Sequence, residues 1–390
     1  MDLVIYAVVI LIFTIFSSCQ MSETADEYIK ELMELKKITL PIDDNSYYLS
    51  KSIFQFEEDG QEYLFFGNTN KGKYGIIIYN INSQDIFKRI PLSKEGPNGI
   101  RSIFGCKPFN GSKSFMYFQH NISKLSISDD QGKILYHFSM RTEDDRFIAN
   151  YGGNSYFFTP SFIKDSVVYV RQEPKWTNNK MRRESVMFSS LNLKTGEIEE
   201  SSLYYPLIFN TNVVNPAGGY GFSHDYNYKQ NRLVCSFTGY DSLMVSDDLQ
   251  TIRWYNGKSR FLRKMRPTIE ESSGVEGMIK RKERPKYSHI MYDKYRDVYY
   301  RFAEMPCELG PGEYPLDEPK AREFSVIVFD KDFNIIGETK FPGSKYFYKM
   351  SFVGRDGLYI SENNLANPDF DENKLVFACF KLEDVKGNDK

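Results

Sequence analysis

The chain has 390 residues, 41% of them hydrophobic and 26% charged, with a formal net charge of −2. That balance is ordinary for a globular protein, and the lack of a basic excess argues against nucleic acid as a partner. Aromatic residues make up 16%, as 28 Tyr and 31 Phe against only 2 Trp, an enrichment that favours strands over helices.

Leu3–Phe16 is a nearly unbroken apolar run. It falls short of the ~20 residues a spanning helix needs and suits the hydrophobic region of a signal peptide. Ser17 and Ser18 then precede Cys19. Small residues before a Cys at the end of such a run resemble the lipobox of bacterial lipoproteins. The resemblance implies a signal peptide over 1–18 and lipid on Cys19. It also implies an outer-membrane lipoprotein of the cell envelope, periplasmic or surface-exposed, that meets the membrane through that lipid only. Residues 19–34 read as a tether with a short helix. Thr24 and Glu27 have capping-box spacing and lead into Tyr28, Ile29, Leu32, Met33 and Leu35.

From Lys36 onward apolar residues alternate with polar ones, and turn residues recur every few positions, the pattern of a sandwich, barrel or propeller. Phe222–Phe237 (FSHDYNYKQNRLVCSF) recurs as Tyr287–Phe302 (YSHIMYDKYRDVYYRF), with Ser223-His224 falling on Ser288-His289. Each copy reads as strand, polar turn, strand, and a unit that repeats at this length marks a repeat architecture. A second hairpin with an Asp/Asn-rich turn follows each first one, at Gly75–Ile90, Ser123–Phe138, Val186–Ser201, Asp241–Tyr255 and Phe324–Phe341. This spacing predicts five four-stranded units from Ser52 to Phe341. A sixth begins at Tyr346–Ser361, continues with Lys374–Leu382, and stops one strand short. Leu35–Ile42 supplies the missing strand. The expected fold is therefore all-β: a six-bladed β-propeller of four-stranded blades over 35–382, its last blade closed by an N-terminal strand, with 383–390 as a tail. Closure of this kind removes sheet edges that invite aggregation.

The lipobox, the GPNGI segment at Gly96–Ile100, the YSHIMYDKYRDVYYRF unit and the overall length together resemble the uncharacterised Bacteroidetes lipoproteins with TolB-like six-bladed propeller domains. That resemblance implies a fold and a cellular address; it brings no reaction with it.

No GxSxG elbow, Walker A loop, GxGxxG or HExxH occurs, so no catalytic or metal-binding residue and no cofactor is assigned. Cys19 aside, Cys106, Cys235, Cys307 and Cys379 are widely spaced and give no close-pair zinc pattern. The connection Arg260–Pro285 is basic around Glu270-Glu271, which suits either a solvated link or a flap that recognises an anionic partner. The candidate site comes from the repeat. In propellers the first strand of each blade lines the central channel, which places His224, His289, Lys349 and, in a less certain register, Arg101 around a channel that would bind a ligand. The plainer account is that the Ser-His pairs satisfy hydrogen bonds between neighbouring inner strands. The functional expectation is a ligand- or protein-binding module of the envelope, taking an envelope protein, a peptide or a glycan. The alternative is a propeller enzyme of the lactonase, glycoside-processing or lyase type, which would gather carboxylates with shifted pKa values at the channel mouth.

Overall fold

The computed structural model describes residues 30–42, 46–68, 75–101, 103–119, 123–140, 155–173, 176–177, 180–181, 185–200, 202–207, 221–265, 274–310, 313 and 320–385. The fold is all-β and propeller-like, built of four-stranded sheets. In the first sheet Ile53–Glu58, Gln61–Asn68, Gly75–Asn80 and Ile86–Pro91 pair in chain order. The second joins Ile103–Pro108, Ser114–Gln119, Lys124–Asp129 and Ile134–Ser139 in the same way. The third is Phe162–Lys164, Val167–Arg171, Phe188–Asn192 and Ile198–Glu200, and the fourth is Phe222–Asn227, Arg232–Phe237, Leu243–Ser246 and Arg253–Tyr255. Trp176–Thr177 pairs with Lys180–Met181 as a two-stranded ribbon, and the remaining strands form one eight-stranded sheet. Its order is Lys286–Asp293, Val298–Glu304, Phe324–Phe329, Ile335–Phe341, Lys30–Pro41, Lys374–Asp384, Leu358–Ser361 and Phe347–Val353. The expectation of six separate four-stranded sheets thus meets four separate sheets and one of eight strands. The two halves of the latter meet in a single parallel pair, Lys30 with Gly337. A side chain at Gly337 would put its Cβ within 2.4 Å of the Lys30 carbonyl oxygen, so glycine is what lets the halves touch.

The hairpins follow from local chemistry. Asp59-Gly60 and Asp165-Ser166 each take positive φ at both positions, the backbone of a two-residue hairpin turn whose twist matches its strands. The turns between third and fourth strands open with Asn80, Asp129, Asn192 or Asp330, whose side-chain oxygens accept backbone N–H groups two to four residues on. The turn at Asp330 is thereby accounted for without a metal ion. The basic connection carries one helix, α1 (Gly274–Glu283).

The N-terminal strand departs from expectation. Lys30–Pro41 is extended throughout, where a helix was expected over Tyr28 to Leu35. It pairs antiparallel with Lys374–Asp384 along its whole length, from Lys30 opposite Asp384 to Pro41 opposite Lys374. Leu32, Ile38 and Leu40 are buried while Met33 and Leu35 are about half exposed, each at 53%. A free strand edge with eleven residues of ladder to offer outweighs the good helical propensity of LMELKK, since tertiary pairing routinely overrides propensity. Thr24 and Glu27, like Cys19, lie outside the described residues.

Cys106, Cys235 and Cys379 are buried thiols, Cys307 is half-buried, and none is disulfide-bonded. Arg301 is buried, and among the described residues no carboxylate forms an ion pair with it within 4.0 Å. Its guanidinium donates to the carbonyls of Asp241, Gly257 (2.8 Å) and Tyr240 (2.7 Å) and to Ser236 Oγ (2.8 Å), and it lies 3.4 Å from the centre of the Tyr287 ring. Carbonyl oxygens and a ring face replace water around a buried cation, fastening the loop after Phe237 to the neighbouring strand.

Leu40→Ala is expected to lower the unfolding free energy by about 3 kcal/mol through loss of buried side chain and the void left behind. Leu35→Ala, at an exposed position of the same strand, should cost less than about 0.5 kcal/mol. Urea denaturation of the two variants checks the difference.

Candidate functional site

The first strands of several sheets face one another at the centre of the molecule: Ile53–Glu58 packs on Ile103–Pro108 and Phe347–Val353, and Lys286–Asp293 packs on Phe222–Asn227 and Phe347–Val353. Side-chain groups on one strand satisfy backbone donors on the next. Ser223 Oγ accepts the Ile290 N–H (2.9 Å), Asp225 Oδ2 accepts the Tyr292 N–H (2.7 Å), and Ser52 Oγ accepts the Cys106 N–H (3.0 Å).

The segment Ser155–Ser161 lies across this centre. The Phe157 N–H donates to the Lys51 carbonyl (2.9 Å), the His224 N–H donates to Phe158 O (3.3 Å), and Lys107 Nζ donates to Ser161 O (2.5 Å). Phe157 is buried and lines a cavity on each side, so it divides the centre into two mouths.

The wider mouth is a cavity of about 800 Å³ whose walls include Tyr47, Tyr156, Phe157 and Phe347, with Lys51, Lys286, Lys349 and Glu304 as its charged groups. Glu304 is 1% exposed, and neither carboxylate oxygen accepts a hydrogen bond from the described residues. Instead three cations stand around it: Lys286 Nζ at 3.3 Å, Arg322 Nε at 3.6 Å and Lys349 Nζ at 3.9 Å. Arg322 Nη1 is committed to the carbonyls of Met305 (2.7 Å) and Arg284 (3.0 Å), while its Nε and Nη2 are buried with no acceptor among the described residues. Arg322 and Lys349 also line an adjoining cavity of about 390 Å³. Among the described residues three cations thus surround this one carboxylate, beside aromatic walls. Lys51, over the Tyr156 ring at 5.3 Å, adds a further cation.

The four residues proposed from sequence fall in different places. Lys349 lines the wider mouth. His289 lies behind its wall, fully buried, stacked on Phe302 (3.9 Å between ring centres) and edge-on to Phe157 (5.1 Å), with Nδ1 3.1 Å from Ser288 Oγ. His224 is equally buried among Phe162, Phe188 and Phe222, and its Nε2 donates to the Pro160 carbonyl (2.9 Å). Burial holds both imidazoles neutral, with pKa values pushed down to about 3. Arg101 is exposed and precedes its strand, which begins at Ile103. It donates from Nε to Lys94 O (3.0 Å) and lines neither mouth. Sequence reasoning did not find Glu304, Lys286 or Arg322. The one available signal was the position of Lys286 immediately before the repeated unit, directly opposite Glu304 in the ladder.

The smaller mouth, about 370 Å³, holds Lys107 and Asp225 among Phe54, Phe162 and Tyr292. Burial raises Asp225 to about 6 and lowers Lys107 to about 8.

Unfolded imidazoles protonate below about pH 6.5, whereas His224 and His289 resist protonation down to about 3. The unfolded state takes up the protons first, so stability falls as the pH drops through that interval. His289→Phe keeps a ring against Phe302 but removes one titrating group. The slope of unfolding free energy against pH between about 5.5 and 4 should fall by about 1.4 kcal/mol per pH unit. An unchanged slope in urea titrations would show that His289 is not held neutral.

The family model for DUF4221, a domain of unknown function, matches residues 31–340. The crystal structure of a DUF4221 family member from Bacteroides vulgatus is similar at 53% identity with a TM-score of 0.86, over 92% of this chain and 99% of that one. A candidate exported protein of Bacteroides fragilis shares the fold at 10% identity with a TM-score of 0.55, over 92% of this chain and 96% of that one. No curated protein matches. With most of its length matched by the family model and a close structural relative in the same family, the chain belongs to the DUF4221 family.

Proposed function

We propose that this protein is an exported, lipid-anchored propeller whose wider mouth binds a carboxylate-bearing ligand with a ring or apolar face, of the class of acidic sugars. The observation that carries the reading is the gathering of Lys286, Lys349 and Arg322 around the single buried carboxylate of Glu304, next to Tyr47, Tyr156 and Phe347. A ligand carboxylate meets cations already gathered at the mouth, where charge-assisted hydrogen bonds can form. The aromatic walls offer faces for the ring. Basic and aromatic groups at the mouth favour a binding module over an enzyme built on paired carboxylates.

Six blades is the count we favour, with the eight-stranded sheet taken as two blades whose outer strands touch at Lys30 and Gly337. The apolar run Leu3–Phe16, Ser17-Ser18-Cys19 and the exported character suggested for the Bacteroides fragilis relative support export and lipid attachment in the cell envelope. Among the described residues no helix is long and apolar enough to cross a membrane.

Calorimetry with glucuronate and galacturonate oligomers against their neutral counterparts tests the site. Acidic oligomers are expected to bind, weakening with added salt, and Lys349→Met should weaken them about tenfold. Equal binding of the neutral sugars removes the proposal. Lipid attachment is read separately. Radiolabelled palmitate should enter the wild-type protein and fail to enter Cys19→Ala; incorporation into both, or into neither, removes the anchor.

A further inference from the structure

The smaller mouth differs from the wider one in its charge balance. Inside it stand one cation, Lys107, and one carboxyl group, Asp225. Each is hydrogen-bonded to backbone, and although they feel each other's charge, neither makes an ion pair within 4.0 Å among the described residues. Among the described residues Lys107 Nζ donates to Ser161 O and lies 5.6 Å from the centre of the Phe54 ring, which leaves donor capacity for a ligand. The Asp225 oxygens accept the N–H groups of Tyr226 (2.8 Å) and Tyr292 (2.7 Å), each with further lone-pair capacity. The two rim lysines are already ion-paired: Lys229 with Asp297 at 3.4 Å and Lys294 with Glu57 at 3.4 Å. A simple anion would satisfy Lys107 and repel Asp225, and a simple cation would do the reverse. Only a ligand carrying both charges supplies each of these half-buried groups with an opposite charge at hydrogen-bond distance.

We propose that the smaller mouth is a zwitterion site that takes a free α-amino acid with an apolar or aromatic side chain, its carboxylate against Lys107 and its ammonium against Asp225. Phe54, Phe162 and Tyr292 wall the same cavity and suit such a side chain, and about 370 Å³ is within the range of small-molecule sites. The site is separated from the wider mouth by Phe157 and does not rest on the function proposed for that mouth.

A pH dependence follows. Below about 6 Asp225 is protonated and loses its hold on an ammonium group; above about 8 Lys107 is neutral and loses its hold on a carboxylate. Other groups also face the pair. His224 is held neutral down to about 3, Tyr226, Tyr228 and Tyr292 are raised by burial, and Lys229 and Lys294 are ion-paired. Affinity should therefore peak between these two values and decline on either side.

Calorimetry on the wild-type protein with L-phenylalanine, N-acetyl-L-phenylalanine and L-phenylalaninamide tests this directly. Binding of L-phenylalanine with a Kd of about 1 mM or tighter is expected, each capped analogue being at least about tenfold weaker because it lacks one charge. Lys107→Met and Asp225→Asn should abolish it, while Lys349→Met at the other mouth should leave it unchanged. No binding of L-phenylalanine or L-leucine tighter than about 10 mM, or capped analogues that bind as well as the free amino acid, overturns the proposal. The analogues act on the unaltered protein, so the outcome does not depend on either variant folding.

Discussion

The pairing of Lys30–Pro41 with Lys374–Asp384 is the constraint on which the rest of the architecture depends. It joins segments from opposite parts of the sequence and covers what would otherwise be an open edge along Lys374–Asp384, the kind of edge that recruits other chains. It also stitches two hydrophobic clusters together: Ile38 and Leu40 pack with Ile53, Leu64 and Phe352, whereas Leu32 packs with Phe302, Phe324 and Phe380. Through Lys374–Asp384 the same pairing fixes Leu358–Ser361 and then Phe347–Val353, the strand that carries Lys349 to the wider mouth. Loss of the N-terminal strand would thus be felt at the site as well as in the core.

The centre of the molecule is a place where strands approach closely and water is largely excluded, so its polar groups must find partners within the protein. Ser52, Ser223 and Asp225 do this by accepting N–H groups from neighbouring first strands. His224 does it by holding the segment that closes the middle. Arg301 solves the harder problem of a buried cation with carbonyl oxygens and a tyrosine face. The two mouths differ from that background. Glu304 and Arg322 are buried charges with atoms that have no hydrogen-bond partner among the described residues, and Lys107 and Asp225 are half-buried charges with bonding capacity to spare. Desolvation without full pairing costs stability, and positions that retain such a cost are where binding is to be sought.

Much of the fold was legible in the sequence. The Asp and Asn residues that open the outer turns act locally, through side-chain bonds to backbone a few residues away, so their recurrence could be counted without a structure. The repeated FSHDYNYK and YSHIMYDK segments do form equivalent first strands. The segment from Lys30 to Leu35 was misread because its residues are good helix formers, whereas what decides its conformation is pairing with a strand more than three hundred residues away. The site was legible only in part. Lys349 does line the wider mouth, but periodicity gives a strand position and not the direction in which a ring meets solvent. The aromatic residues crowding His224 and His289 come from other strands and from the segment around Phe157.

The sequence by itself determined an all-β repeat with its turns, the strand that completes the last sheet, and the N-terminal apolar run ending at Cys19, because each of these is written in neighbouring residues. Tertiary structure alone decided that Ser155–Ser161 divides the centre in two, that Lys286, Arg322 and Lys349 meet at Glu304, and that Lys107 shares a cavity with Asp225. The physical reason is one of range. Turns and strand faces are set by interactions over a few residues, whereas the charge of a cavity is the sum over side chains that only folding brings within a few ångströms of one another.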